Sequence, residues 1–212
     1  MHSSHALLCL AGASLFALAT AGSAGAAATG TQKTATKGKG RAMTKTVAVI
    51  ETTMGTIEAE LYPADAPKTV ENFVGLAKKN YFNGIMFHRV VPGFVIQGGD
   101  PTGTGTGGES IWKKDFADEL NPSTVSYKAG YLKGVLAMAN RGPNTNSSQF
   151  FIMLADNTSL PKHYTIFGKV IKGIEIVDAI GNVPLEGSKP VTPVVMKKVW
   201  IRPSVPAAQK KH

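Results

Sequence analysis

"FHRVVPGFVIQGGD", residues 87–100, carries a strand-like apolar run with two polar intruders. Val90, Val91, Phe94, Val95 and Ile96 read as a buried strand bent at Pro92-Gly93, yet Arg89 stands near its start and Gln97 near its end. A guanidinium keeps its proton inside a protein and is costly to bury without a partner. An arginine on the rim of an apolar, proline-bent stretch therefore needs a task. Strict alternation would also put Phe94 and Gln97 on opposite faces.

Upstream, "TVAVIETTMGTIEAELY" (46–62) holds two alternating runs around a turn at Thr53-Met54-Gly55, the pattern of a β-hairpin. "ADAPKTVENFVGLAKKNYF" (64–82) follows, with Val70, Phe73, Val74 and Ala77 at helical spacing, Asp65 as N-cap and Pro67 in the first turn. Further strands are expected at Met86–Val90, Phe94–Gly98, Val135–Ala139, Gln149–Met153, Thr165–Ile171 and Val194–Arg202, with a second helix at Ile174–Ile180. Many short strands, two helices and no regular strand–helix alternation predict a mostly β fold, a closed barrel with helical caps.

The 212 residues include 43% hydrophobic and 17% charged, ordinary for one globular domain with flanking segments. The net charge of +9 does not sit on that domain. Six of the 23 cationic residues (Lys33, Lys37, Lys39, Arg41, Lys210, Lys211) flank it, and the remaining 17 are nearly balanced by 14 acids. Together with the lack of an aromatic-and-basic sheet motif, this argues against nucleic-acid binding. One cysteine, Cys9, excludes an internal disulfide and a thiolate zinc site.

"ALLCLAGASLFALATA" (6–21), followed by small residues, resembles a secretory signal's apolar region and cleavage zone, although His2 and His5 replace the usual Lys or Arg. The division expected is a signal peptide at 1–28, a flexible basic linker at 29–42, the folded domain at 43–203 and a disordered basic tail at 204–212. The run is too short and too rich in Ala and Gly for stable membrane insertion. The expected location is periplasmic or secreted. The alternative is a cytoplasmic protein starting at Met43.

Several chemistries fail on their residues. Gly103-x-Gly105-x-x-Gly108 matches a dinucleotide fingerprint by letter, but no clear helix follows to receive a phosphate. No Gly-x-Ser-x-Gly elbow or His-x-x-x-His pair supports nucleophilic or metal-assisted hydrolysis. Asp115, Asp118 and Glu119 could mimic a pair of glycosidase carboxylates, but with Lys113 and Lys114 beside them they read as a solvated loop. Two sequons, at Asn146 and Asn157, require no sugar. No residue set calls for a cofactor or metal.

Four segments in order, "FHRVVPGFVIQGGD", "GTGTGGES" (103–110), "LAMANRGPNTNSSQFFIML" (136–154) and "YTIFGKVIKG" (164–173), resemble the cyclophilin family of peptidyl-prolyl cis-trans isomerases. The likeness runs from about Val47 to Arg202 and includes the helix beginning at Ala66. It implies an eight-stranded antiparallel β-barrel capped by two α-helices, rotation about X-Pro bonds as the activity, and proline-containing or unfolded polypeptides as partners of a monomer. Arg89 falls on the family's catalytic arginine, with Gln97 orienting it or the substrate. Phe94, Val95, Phe151 and Leu160 fall on the proline pocket. Gly105 and Thr106 fall on the glycine-rich loop, Ala139, Asn140 and Arg141 on the peptide groove, and Gln149 and Tyr164 complete the rim.

The chain also departs from the family pattern. Ser159 stands where many members carry a tryptophan that contributes to binding cyclosporin, so weak cyclosporin binding is expected. Tyr164 replaces a pocket histidine, Val95 a methionine and Arg141 a small residue. These changes keep open an alternative, an X-Pro binding module or chaperone with little turnover.

Overall fold

The computed structural model describes residues 45–203. The expected signal peptide, linker and basic tail lie outside the described residues. Among those described, no helix is long and apolar enough to cross a membrane.

The chain opens with the expected hairpin, β1 (Thr46–Thr52) and β2 (Gly55–Leu61), paired Thr52 to Gly55 across the turn. Helix α1 (Pro67–Lys78) follows, then β3 (Arg89–Val91) and β4 (Val95–Gly98). After a long loop come α2 (Val125–Ala129), β5 (Val135–Met138), β6 (Phe150–Met153), β7 (Ile166–Lys172) and α3 (Ile174–Gly181). A small hairpin, β8 (Leu185–Glu186) and β9 (Lys189–Pro190), precedes β10 (Met196–Pro203).

Eight strands form one antiparallel sheet in the order β10-β1-β2-β7-β5-β6-β4-β3. The expected closed barrel needs one correction. Ladder pairing stops at β3 and β10, making a half-barrel whose edges meet through irregular chain. A single bridge, Met86 to Val195, and the bonds Phe87 N–H to Val194 O (2.9 Å) and Met196 N–H to Ile85 O (2.9 Å) span that seam. For the same reason the strand expected from Met86 becomes regular only at Arg89.

Successive strand residues face opposite sides of a sheet, and here both sides carry apolar clusters. Phe150, Ile96, Leu136 and Met138 pack in the main core with Phe73, Phe82, Phe87 and Phe167. Phe73 stacks on Phe82 with ring centroids 4.9 Å apart and meets Phe150 edge-on at 5.5 Å. Their neighbours Phe151, Val95 and Ala137 point the other way, into a second apolar cluster with Tyr131, Val135, Met153 and Ile166. Two apolar environments explain why "VLAM" and "FFIM" show no polar alternation.

Asp65 is not the N-cap of α1. Ala66 holds that position without a side-chain bond, while the Asp65 carboxylate accepts from Ser126 N–H (2.9 Å). The orphan amides of Lys68 and Thr69 donate to Glu119 instead, at 3.0 and 2.8 Å. A carboxylate at a helix N-terminus satisfies donors and complements the dipole, wherever in the chain it originates. Helix α2 was not anticipated, although Thr124 accepts from Tyr127 N–H as its cap and Gly130 (φ 74°) ends it. Glu119→Ala is expected to lower stability by about 1 kcal/mol, the usual worth of a cap. Equilibrium denaturation should show this as a shifted midpoint with an unchanged slope.

Candidate active site

The register of the sheet assembles the site. Arg89 pairs with Gln97, Gln97 with Phe151, and Phe151 with Ala137. Directly opposed residues share a face, so these four form one row across β3, β4, β6 and β5. Val91, Val95 and Met153 form the next row on the same face. Phe94 joins them by leaving the strand pattern. Gly93 has φ 71°, Phe94 N–H donates to Val91 O (2.9 Å), and β4 begins one residue later. The bend expected at Pro92-Gly93 is present, and glycine allows the positive φ without steric cost.

A cavity of about 170 Å³ opens on this face. Its apolar walls are Phe94, Val95, Phe151, Leu160 and Tyr164, and its rim carries Arg89, Gln97, Ala139 and Asn140. Tyr164 meets Phe151 edge-on at 5.5 Å. The Tyr131 hydroxyl pins it from behind, donating to Tyr164 O (2.9 Å) and accepting from Tyr164 N–H (3.0 Å). Burial pushes the Tyr131 phenol up to about 12, so it remains a donor at physiological pH. A smaller adjoining cavity of about 60 Å³ shares Gln97, Ala139 and Asn140 and adds Gly105, Arg141 and Gln149 with Thr145 and Ser147.

Thus twelve of the thirteen anticipated residues line one of two contiguous cavities. Thr106 is the exception. It is exposed, and its hydroxyl pairs with that of Thr104 at 2.8 Å. A larger apolar groove, about 700 Å³ between β2, α2 and β7, holds none of the thirteen. Its charged residues, Lys45, Glu60, Asp65 and Lys169, are not drawn together on any common point by hydrogen bonds to one another beyond the Lys45–Glu60 pair.

Hydrogen bonds fix the polar rim. Arg89 Nη1 donates to Gln97 Oε1 (3.1 Å), and Gln97 Nε2 donates to Gln149 Oε1 (2.9 Å). Gln149 Nε2 in turn donates to Gly105 O (2.9 Å) and Gly107 O (2.8 Å). The Asn140 amide donates to His163 O at 2.9 Å. Arg141 forms a double contact with Asp115, both at 3.0 Å. Asp118 accepts from Asn146 Nδ2 (2.8 Å) and Asn144 N–H (2.8 Å), which pins the 140–148 loop. With Glu119 capping α1, all three acids of the glycosidase-like cluster have structural partners.

The sequence reading assigns no role to Asp100 or to His88, the latter considered only as a hydrolytic or metal-binding histidine and set aside. Asp100 is 1% exposed and gathers the glycine-rich loop around its carboxylate. An Asp-x-Thr step at the head of a Gly/Thr run is a turn signal that could have found it. The dinucleotide-like glycines thus surround the chain's own anion. His88 lies behind Arg89, and neither ring nitrogen has a hydrogen-bond partner among the described residues.

The geometry defines a peptide-binding class of site: an apolar cavity sized for a small ring, a fixed cation at its edge, and exposed chain beside it. Comparison with known proteins agrees. The family model described as cyclophilin type peptidyl-prolyl cis-trans isomerase/CLD matches residues 47–201. Peptidyl-prolyl cis-trans isomerase-like 3 of Dictyostelium discoideum is 47% identical over 153 residues, covering 72% of this chain and 92% of that protein. Peptidyl-prolyl cis-trans isomerase-like 1 of Mus musculus is 49% identical over 152 residues, covering 71% and 89%. The crystal structure of a cyclophilin type isomerase from Cryptosporidium parvum superposes with TM-score 0.70 at 39% identity, over 76% of this chain and 99% of that one. A second structure of that protein, in the presence of the dipeptide Ala-Pro, gives TM-score 0.69. The chain belongs to the cyclophilin-type peptidyl-prolyl cis-trans isomerase family.

Burial lowers the His88 pKa. Nearby Asp100 opposes the shift and Arg89 reinforces it. In the unfolded chain this imidazole titrates near about 6.5. The folded protein takes the proton only at lower pH, so below that value the unfolded state binds more protons and stability falls with pH. His88→Gln should flatten the decline in unfolding free energy between pH 7 and pH 5. An identical decline in both proteins would show that His88 contributes nothing to it.

Proposed function

We propose that Arg89 accelerates X-Pro rotation by donating a hydrogen bond to the prolyl nitrogen as the amide twists. The barrier is about 18–20 kcal/mol because the nitrogen lone pair is conjugated with the carbonyl. In the perpendicular state the lone pair is localised on a pyramidal nitrogen and accepts a hydrogen bond strongly. In the planar state it hardly accepts at all. A donor fixed at that position therefore favours the transition state over either isomer, and no bond is made or broken.

The observation that carries this reading is the pairing of Arg89 with Gln97 at the mouth of the apolar cavity. Phe94, Phe151, Leu160 and Tyr164 would hold the pyrrolidine ring. The backbone at Asn140, just beyond β5, would hold the chain before it by strand-like bonds. Proline-containing peptides are then the substrates, and unfolded chains exposing X-Pro bonds the cellular clients. Arg89 acts here as a hydrogen-bond donor and needs no proton transfer.

Arg89→Ala is expected to reduce turnover of an Ala-Pro peptide, measured by exchange NMR, by about a hundredfold to a thousandfold. Peptide affinity should change little. Retained turnover in the variant would overturn the assignment, and binding without acceleration by the parent would make the protein an X-Pro binding module. With Ser159 at the rim, cyclosporin should bind weakly and gain affinity in Ser159→Trp. The composition of residues 1–28 supports export to a periplasm or beyond. N-terminal sequencing of the mature protein tests this, and a cytoplasmic product starting at Met43 would refute it.

A further inference from the structure

Asp100 is a carboxylate placed where a solvated charge has no access, and among the described residues no lysine or arginine forms an ion pair with it. Its partners are the loop that follows. Thr102 N–H (2.8 Å), Thr104 N–H (3.2 Å), Gly105 N–H (2.7 Å) and Gly107 N–H (3.2 Å) all donate to it, as does the Thr102 hydroxyl. Burial alone would raise this carboxyl, but the bonds from Thr102, Gly107 and Gly105 prevail and hold it below the usual range. The loop can curl this tightly because Gly103 and Gly105 take φ of 66° and 85°, and a Cβ on Gly107 would fall 2.3 Å from Asp100 Oδ1.

Turning the amide N–H groups of Gly105 and Gly107 inward to the anion leaves their carbonyls to bond elsewhere. Both accept from Gln149 Nε2. Two carbonyl acceptors allow only the NH₂ end of the Gln149 amide to face them, so its oxygen must face Gln97. That forces the Gln97 NH₂ toward Gln149 and the Gln97 oxygen toward Arg89. Reversing either amide would aim NH₂ groups at donors, ending with Gln97 Nε2 against the guanidinium. The direction of every bond from the loop to Arg89 is thus set by the two loop carbonyls, and Asp100 holds the loop that presents them.

We propose that Asp100 is a positioning residue for the isomerase, fixing through the glycine-rich loop, Gln149 and Gln97 the orientation in which Arg89 meets the prolyl nitrogen. The inference rests on the assignment of Arg89 above. Asp100 touches no substrate, so its influence belongs in the transition state rather than in peptide affinity.

The test uses the full chain. Asp100→Asn keeps the side-chain shape but removes the charge and puts an amide among four N–H donors. Saturated turnover of the Ala-Pro peptide should fall about tenfold, while affinity measured by titration stays within about twofold. The Gln149 and Gln97 side-chain NH₂ resonances should shift with it. Gln149→Leu, which leaves the anion and its loop donors intact, should give the same split between turnover and affinity. The double variant should lose little more than either single one, since both break one chain. Full turnover in folded Asp100→Asn, or additive losses in the double variant, would overturn the proposal. If Asp100→Asn does not fold, unchanged turnover in Gln149→Leu would overturn it. Arg89→Ala serves as the separating control. Retained turnover there defeats the reading of Arg89, whereas its loss beside a fully active Asp100→Asn defeats only the role of Asp100.

Discussion

A guanidinium cannot shed its charge to enter an apolar setting, so the Arg89 position exists only if its surroundings hold a cation beside a greasy cavity. The sheet does this by register rather than by local sequence. Arg89 and Gln97 are directly opposed on β3 and β4, so the amide oxygen lies beside the guanidinium. Gln97 is a neutral partner. It orients the cation without neutralising it. A carboxylate at the same position would hold the arginine more tightly.

The rest of the architecture follows from placing this row on the outer face of the half-barrel. The inner face is filled by the phenylalanine cluster around Phe73 and Phe150. The outer face is covered only in part, by Tyr131, Tyr164 and Leu160, and the uncovered part is the cavity. Long loops, not added strands, supply that cover. They are fixed by buried or half-buried polar contacts: Asp100 for residues 102–107, Asp118 for residues 140–146, and Tyr131 for residue 164. Each loop therefore behaves as part of the scaffold although it lacks ladder bonds of its own.

Arg141 and Ser159 are two positions at which the chain departs from the family pattern. Arg141 borders the smaller cavity and is held at its mouth by Asp115, so the groove next to the proline pocket has a paired charge at its wall. Ser159 is exposed and directly precedes Leu160, a wall residue of the larger cavity. Among the described residues, neither side chain hydrogen-bonds to Arg89 or Gln97.

The sequence by itself determined the β hairpin, α1, α3 and the approximate position of every strand in the large sheet. These depend on periodicity and turn residues that act within a few positions. It also carried nearly all of the cavity residues, through their resemblance to a family rather than through any local rule: nothing in the spacing of Phe94 and Phe151 distinguishes a pocket wall from a core. Tertiary structure decided what depends on partners distant in the chain. Glu119, not Asp65, caps α1 because the free amides donate to whichever carboxylate the fold delivers. The barrel seam stays irregular because Met86 and Val195 meet at one bridge. The Asp-x-Thr step at Asp100 marks a turn in the sequence, but only the fold shows that the amides of Gly105 and Gly107 turn inward to the same carboxylate.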